Sequence, residues 1–286
     1  MNKTLTDTVE LIWDLTRERL TIGGALVLRQ EGEILAQIRN QKGVSLHIIC
    51  KDSDRVAAEL LAKTVFGSSI LPFQLIYSHV GFEGWPALLV RAHPDFSYFS
   101  FTRLIALHQE SGIEPKLGWS AHQEALAKRA RVRFSGRLIC VHLRSVTPFT
   151  LEESNADGPT WQAFFDKYAE EGVCDFLLIG DDALPAGFTL GRGVTRAVDL
   201  GFELATQLAL TSIADGFMGM ASGLCTAANL SEVPHVIFKH PAHHSDAMAI
   251  ELGSSDSFLF ANRRQQLWRR EANSISLDAA LDLISS

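Results

Sequence analysis

The chain has 286 residues, 47% of them hydrophobic and 21% charged, enough to build two domains of ordinary size, each with its own core. Its 26 Lys and Arg stand against 33 Asp and Glu, a formal net charge of −7, so there is no general electrostatic reason to expect nucleic acid or an acidic membrane as a partner. A local basic patch and a peripheral membrane contact remain compatible with that balance.

No run of 18 consecutive apolar residues offers a membrane span. The opening MNKTLTDTVELIWDL carries acids where a signal peptide needs an unbroken apolar core. A soluble, unprocessed, cytoplasmic chain is expected. Cys50, Cys140, Cys174 and Cys225 are far apart and form no metal-ligand spacing. They read as buried, reduced thiols, and no metal or cofactor is expected.

In chain order, GALVLRQ reads as a strand, followed by a turn and a helix GEILAQIRNQ beginning near Gly32. VSLHIIC is a strand and DRVAAELLAKTVFG a helix with a glycine stop. FQLIYSHV and PALLVRAH read as strands, and SFTRLIALHQESG as a helix. The polar, basic EPKLGWSAHQEALAKRARVRFSG reads as a linker, which divides the chain into domains over 1–134 and 135–286.

The second half alternates strand and helix. RLICVHLR is a strand. TWQAFFDKYAEEG is a helix with Thr160 as its cap and Gly172 as its stop. CDFLLIG is a strand, GRGVTRAVDLG leads through a short strand or turn into the helix FELATQLALTSIA, and GFMGM, LCTAANL and HVIF form a strand, short helix and strand. NRRQQLWRREANS and SLDAALDLISS read as helices. Such alternation implies parallel sheets covered by helices, an α/β fold of two Rossmann-like domains facing a cleft.

In such sheets ligands gather outside the carboxyl ends of the strands. Ser222-Gly223 follows the strand GFMGM, where a glycine permits close backbone approach and a hydroxyl can meet an anion. The alternative is a plain tight turn. His142 and Arg144 end the strand RLICVHLR. A guanidinium there can hold a diphosphate bidentately and stabilise the charge of a departing nucleoside diphosphate, or it can be a surface arginine or a partner of Asp181 or Asp182. Those two acids follow Gly180 at the end of CDFLLIG, placed either to meet a base or ribose hydroxyls or to lie in a solvated loop. Lys239 ends HVIFK. The HPAHHSD stretch after it, with His240, His243, His244 and Asp246, matches no closed zinc pattern and reads as a solvated loop from which Lys239 or one histidine could touch phosphate.

The segment GMASGLCTAANLSEVPHVIF resembles the nucleotide-binding segment of GT-B glycosyltransferases, in particular the heptosyltransferase-like group, with Gly223 to Pro234 reproducing its spacing and Ala221, Leu224 and Thr226 departing from it. HLR resembles the strand end of GT-B fucosyltransferases whose arginine contacts the sugar-nucleotide diphosphate. GEILA resembles the glycine-acid-apolar segment that carries the proposed general base of the heptosyltransferase-like group. The resemblance implies a glycosyltransferase that moves a sugar from a nucleotide diphosphate donor to an acceptor, inverting and without a metal. It implies Glu33 as base, with Glu31 its rival, Arg144 as stabiliser of the leaving group, and His142, Gly180, Asp181, Asp182, Ser222, Gly223, Thr226 and Lys239 as substrate-binding residues. A sugar-nucleotide epimerase, a pyruvyl transferase and a non-catalytic nucleotide-binding protein are the alternatives.

Overall fold

A computed structural model describes residues 7–77, 101–146 and 154–286. The chain divides into two compact units, residues 1–121 and 122–286. This break lies ahead of the 134/135 boundary expected from sequence. Nearly half of the stretch read as a linker is α-helix, Ala121–Arg131. Gln123 on it donates to the Thr206 hydroxyl at 3.0 Å, and Arg131 pairs with Asp215 at 2.6 Å, so the helix belongs to the second unit.

The first unit holds strands β1 (Thr8–Asp14), β2 (Gly43–Ile49) and β3 (Phe73–Tyr77), paired in parallel in the order β1-β2-β3. Helix α1 (Ile22–Arg39) connects β1 to β2, α2 (Arg55–Gly67) connects β2 to β3, and α3 (Thr102–Ser111) follows. Two expectations are corrected here. β1 comes from a stretch not read as a strand. The expected strand, turn and helix over 24–41 are replaced by one continuous helix, α1, begun by Thr21, whose hydroxyl accepts from the Gly24 N–H at 3.0 Å. Gly32 makes no turn. A Cβ there would lie 2.7 Å from Leu11 Cδ1, so the glycine lets α1 press onto β1. The expected strand over 86–93 lies outside the described residues.

In the second unit, the helix Ala121–Arg131 is α4, and the strands are β4 (Leu138–His142), β5 (Asp175–Leu178), β6 (Val194–Arg196), β7 (Gly216–Met220), β8 (His235–Phe238) and β9 (Gln265–Trp268). All pair in parallel, in the order β6-β5-β4-β7-β8-β9. The chain steps outward from β4 to β6, then returns to β7 on the other side of β4 and steps outward again. β9 corrects the helix expected over 262–274. The arginines that suggested a solvated helix flank a short strand, and Gln265, Leu267 and Trp268 within it are buried.

Helices α5 (Gly158–Glu171) and α9 (Ser274–Ser285) cover one face of this sheet. Trp161, Phe164, Phe165, Leu277, Leu281 and Ile284 pack there against Ile139, Val141, Phe176, Met218, Val236 and Phe238. The alternate strand residues point to the opposite side, which α6 (Leu204–Thr211) and the one-turn α7 (Thr226–Asn229) share. α8 (Ser245–Leu252) starts within the stretch read as a solvated loop. The cap of α5 is Asp157, which accepts from the Thr160 N–H at 2.9 Å, rather than Thr160 itself.

Candidate functional site

The return of the chain from β6 to β7 makes the β4/β7 boundary a topological switch point, where the connections leaving the two strands part to opposite sides and open a crevice above their carboxyl ends. Close pairing of these strands depends on Gly219, opposite His142. A Cβ at 219 would lie 2.5 Å from the His142 carbonyl oxygen and 2.9 Å from its nitrogen.

Five strand ends bring their polar residues to this edge. His142 closes β4 and is only 2% exposed. Its Nε2 lies 3.1 Å from Asp182 beyond β5, and its Nδ1 lies 3.5 Å from the Met220 carbonyl at the end of β7. Burial opposes charging of the ring, but the hydrogen bond to Asp182 and the neighbouring Cys225 outweigh it, pushing the pKa up to about 9. The His142 hydrogen bond in turn holds the Asp182 carboxyl below its ordinary value. The Asp182 loop is tied down from two other directions. Gln207 on α6 accepts from the Gly180 N–H at 2.7 Å, and Arg196 at the end of β6 donates to the Asp182 carbonyl at 3.3 Å.

Arg144 stands two residues beyond β4. Its Nη1 is buried with no hydrogen-bond partner among the described residues, and burial pulls its pKa below the ordinary value. Lys239, at the end of β8, is 8% exposed and makes no side-chain hydrogen bond or ion pair among the described residues. Burial, aided by Arg144, lowers its pKa to about 8 against the opposing pull of Glu251 and Cys225. His243 is pushed down to about 3, first by burial and then by Lys239, His244 and Arg144. Arg144 and Lys239 thus hold a charge only partly compensated, with His243 kept neutral beside them, the electrostatics of an anion site.

The remaining residues singled out from sequence sit around this cluster in different ways. Ser222 accepts from the Leu224 N–H at 3.2 Å, closing its own turn, and its Oγ lies 3.5 Å from Cys225 Sγ. Ser222 and Gly223 precede α7 instead of capping it, because Cys225 holds the cap position. Thr226 is buried within α7, and Asp181 is exposed on the loop. Gln207, Arg196 and Gly219 escaped the sequence reading, since only the folded sheet brings them to the site.

Glu33 is placed elsewhere. It lies twelve residues past the Thr21 cap, about 18 Å down α1 at 1.5 Å per residue, away from the carboxyl edge where α1 begins. Its carboxylate accepts from Arg29 Nε at 2.7 Å, the Ser69 hydroxyl at 2.6 Å and the Gly118 N–H at 3.0 Å. Arg29 is itself buried, bonds the Val65 carbonyl and Ser68, and stacks over Trp119 with its guanidinium 4.5 Å from the ring centroid. The pair ties α1 to the segments before β3 and α4. Glu31 is buried and lies 3.6 Å from Arg103.

Among the described residues no cluster of His, Cys, Asp and Glu is arranged to hold a metal ion, and no helix is long and apolar enough to cross a membrane. No family model matches the sequence, and no curated protein matches it. Solved structures do. A glycosyl transferase of family 9 from Veillonella parvula superposes with a TM-score of 0.52 at 10% identity, over 97% of this chain and 89% of that one. The E. coli heptosyltransferase WaaC with ADP gives 0.48 at 10% identity, over 97% and 99%. The E. coli ADP-heptose lps heptosyltransferase II gives 0.44 at 13% identity, over 90% and 80%. The first of these likenesses establishes that the chain has the fold of a family 9 glycosyl transferase, the fold that the sequence resemblance implied.

Proposed function

We propose that the chain is a glycosyltransferase whose second unit binds the diphosphate of a nucleotide sugar at the β4/β7 switch point. The carrying observation is the buried Nη1 of Arg144, which has no hydrogen-bond partner among the described residues, within the electrostatic reach of Lys239 at that edge. A buried donor without an acceptor costs about 1–3 kcal/mol, and a phosphate oxygen supplies the acceptor. Arg144 offers a two-pronged contact, Lys239 adds a point charge, and both offset the negative charge that develops on a departing nucleoside diphosphate. Side-chain cations of this kind suit a transfer that proceeds without a metal. Direct displacement by an acceptor hydroxyl inverts the anomeric centre, and the first unit is assigned to the acceptor.

The test is a melting-temperature panel with ADP, UDP, GDP and CDP beside the matching monophosphates. A ligand at one hundred times its dissociation constant adds about 2.7 kcal/mol. A diphosphate that stabilises the protein well beyond its monophosphate supports the proposal. A panel without any shift overturns it. Transfer from the matching sugar nucleotide, measured with and without a chelator, then tests the reaction and its metal independence.

A second reading, nucleotide binding without transfer, is favoured by one observation. The carboxylate expected to act as base is occupied by three donors far down α1. Product analysis with a bound sugar nucleotide separates the two, since a binder releases neither the sugar nor the nucleoside diphosphate.

A further inference from the structure

The loops that leave β4 and β8 are fastened to each other at the carboxyl edge by a side-chain contact. Beyond β4, the Ala156 N–H donates to the Arg144 carbonyl at 2.8 Å. Asn155 brackets Val146, accepting from its N–H at 3.1 Å and donating to its carbonyl at 2.9 Å. Beyond β8, the His243 N–H donates to the His240 carbonyl at 2.9 Å, in a tight turn that begins one residue after Lys239. Ser154 Oγ lies 3.3 Å from His243 Nδ1 and joins the two loops. Because β7 stands between β4 and β8 in the sheet, this contact spans the end of β7 at the switch point. Ser154 is buried, whereas His243 is partly exposed and its Nε2 has no hydrogen-bond partner among the described residues.

We propose that His243 is a third, proton-linked ligand of the diphosphate, whose Nε2 bonds a phosphate oxygen while the ring takes up one proton from solvent. The inference rests on the diphosphate reading. His142 is already charged against Asp182, and His235 is sealed within β8. His243 differs from both, being partly open and held by a hydroxyl. The Ser154 hydroxyl donates to a bare Nδ1 and accepts from a protonated one, so the ring can gain a proton without losing its anchor. The groups acting on it are Lys239 from β8, Arg144 from the β4 loop, and His240 and His244 from its own loop, the His244 ring lying 4.0 Å away. Glu251 on α8 acts on Lys239. Burial and these groups keep the ring neutral in the protein alone, with a pKa of about 3. A diphosphate held by Arg144 and Lys239 reverses that field, and by linkage the charged ring binds the diphosphate more tightly. A departing nucleoside diphosphate carries one more negative charge than the same group within a sugar nucleotide. The charged ring therefore favours the departing group over the intact donor.

The experiment measures binding of ADP, UDP, GDP and CDP to the full chain by calorimetry from pH 5.5 to pH 8 and follows the His243 ring by NMR. His243→Gln identifies the resonance, and Ser154→Ala, which shifts it by removing the Nδ1 partner, identifies it independently. In the complex the ring is expected to titrate above about pH 6, near the ordinary histidine value, against about 3 in the protein alone. His243→Gln keeps a donor near the Nε2 position but cannot charge. At pH 5.5 the wild type should bind at least about fivefold more tightly than this variant, and at pH 8 the two should agree within about twofold. Comparing the two proteins cancels the titration of the ligand itself. A ring that stays neutral in the complex at pH 5.5, or a His243→Gln affinity that follows the wild type at every pH, overturns the inference and leaves the diphosphate reading in place. If none of the four ligands binds at any pH, the diphosphate reading fails and the inference fails with it.

Discussion

His142 and Asp182 are joined at 3.1 Å across the carboxyl ends of β4 and β5, forty residues apart in the chain. The pair forms at the point where the Gly180 loop is fixed by Gln207, so its geometry is set by the sheet and not by the ligand. Because the folded pKa of His142 is raised to about 9, its contribution to stability is fully present below the unfolded value of about 6.5 and is lost as pH rises through about 9. Asp182→Asn should bring the His142 titration, followed by NMR, down by at least one unit and remove that alkaline loss of melting temperature. A titration that does not move would mean that Asp182 does not hold the ring charged.

The acid side has a different origin. His235 on β8 is buried, and its pKa falls to about 4, chiefly through burial, with the Val233 carbonyl only partly opposing. The unfolded chain then binds the proton more readily than the folded one, so stability falls as pH drops from about 6.5 toward about 4. The difference is on the order of 3 kcal/mol. His235→Gln should flatten this limb in a series of chemical melts at stepped pH. An unchanged slope would assign it to other groups, of which His243, also depressed, is the first to examine.

Affinity should carry its own pH dependence. Lys239 has its pKa lowered to about 8, and only the ammonium attracts a diphosphate. The dissociation constant of a bound nucleoside diphosphate should therefore rise about tenfold per pH unit above about 8, the limit for one coupled proton. Arg144→Ala should weaken binding at every pH by about 1.5–3 kcal/mol, the scale of a hydrogen bond to a charged group, with Arg144→Lys recovering only part. Lys239→Arg, charged throughout, should lose the alkaline rise. Calorimetry at pH 7 and pH 9 decides, and an alkaline rise that survives Lys239→Arg in full would assign the titration to His142, which also loses its charge near pH 9.

The second unit was largely readable because its punctuation is local. Glycine stops, alternating apolar runs and small-residue turns identify β4, α5, β5, α6, β7, β8 and α9 in place. In the first unit β2, α2, β3 and α3 were equally readable, but α1 misled because a fully buried helix carries the same continuous apolar run as a buried strand. GALVL was taken for a strand and Gly32 for a turn, whereas Thr21 starts one helix and Gly32 packs it on Leu11. β9 misled in the opposite direction, through arginines on a short edge strand. His142, Arg144 and Lys239 could be named from their places at strand ends. What joins them to Asp182, Gln207 and Arg196 could not, because those contacts span tens of residues and exist only once strand order is set. Gly219 has the same character. Gly219→Ala should cost about 1–3 kcal/mol or more, since the new methyl meets the backbone of His142.

Glu33 gives the sharpest division between a structural and a catalytic carboxylate. Its partner Arg29 is 1% exposed at the side chain and Glu33 itself 9%, so the pair is buried, and removing one charge leaves the other without compensation. Glu33→Gln keeps the size but turns an amide toward the Arg29 donors, and should destabilise the fold by about 3–5 kcal/mol. Replacing both residues together, Glu33→Leu with Arg29→Met, should recover much of that loss, because two apolar side chains of similar volume leave no buried charge. Nucleoside diphosphate affinity, which depends on the second unit, should be unchanged in the folded Glu33→Gln protein. Transfer per folded molecule, if the chain transfers, should persist within a few-fold. The measurements are a denaturant melt, calorimetry and a product assay on the same preparation. Intact stability with transfer reduced by roughly 10²–10⁴, the scale of a lost general base, would overturn the structural role and restore Glu33 as the catalytic base.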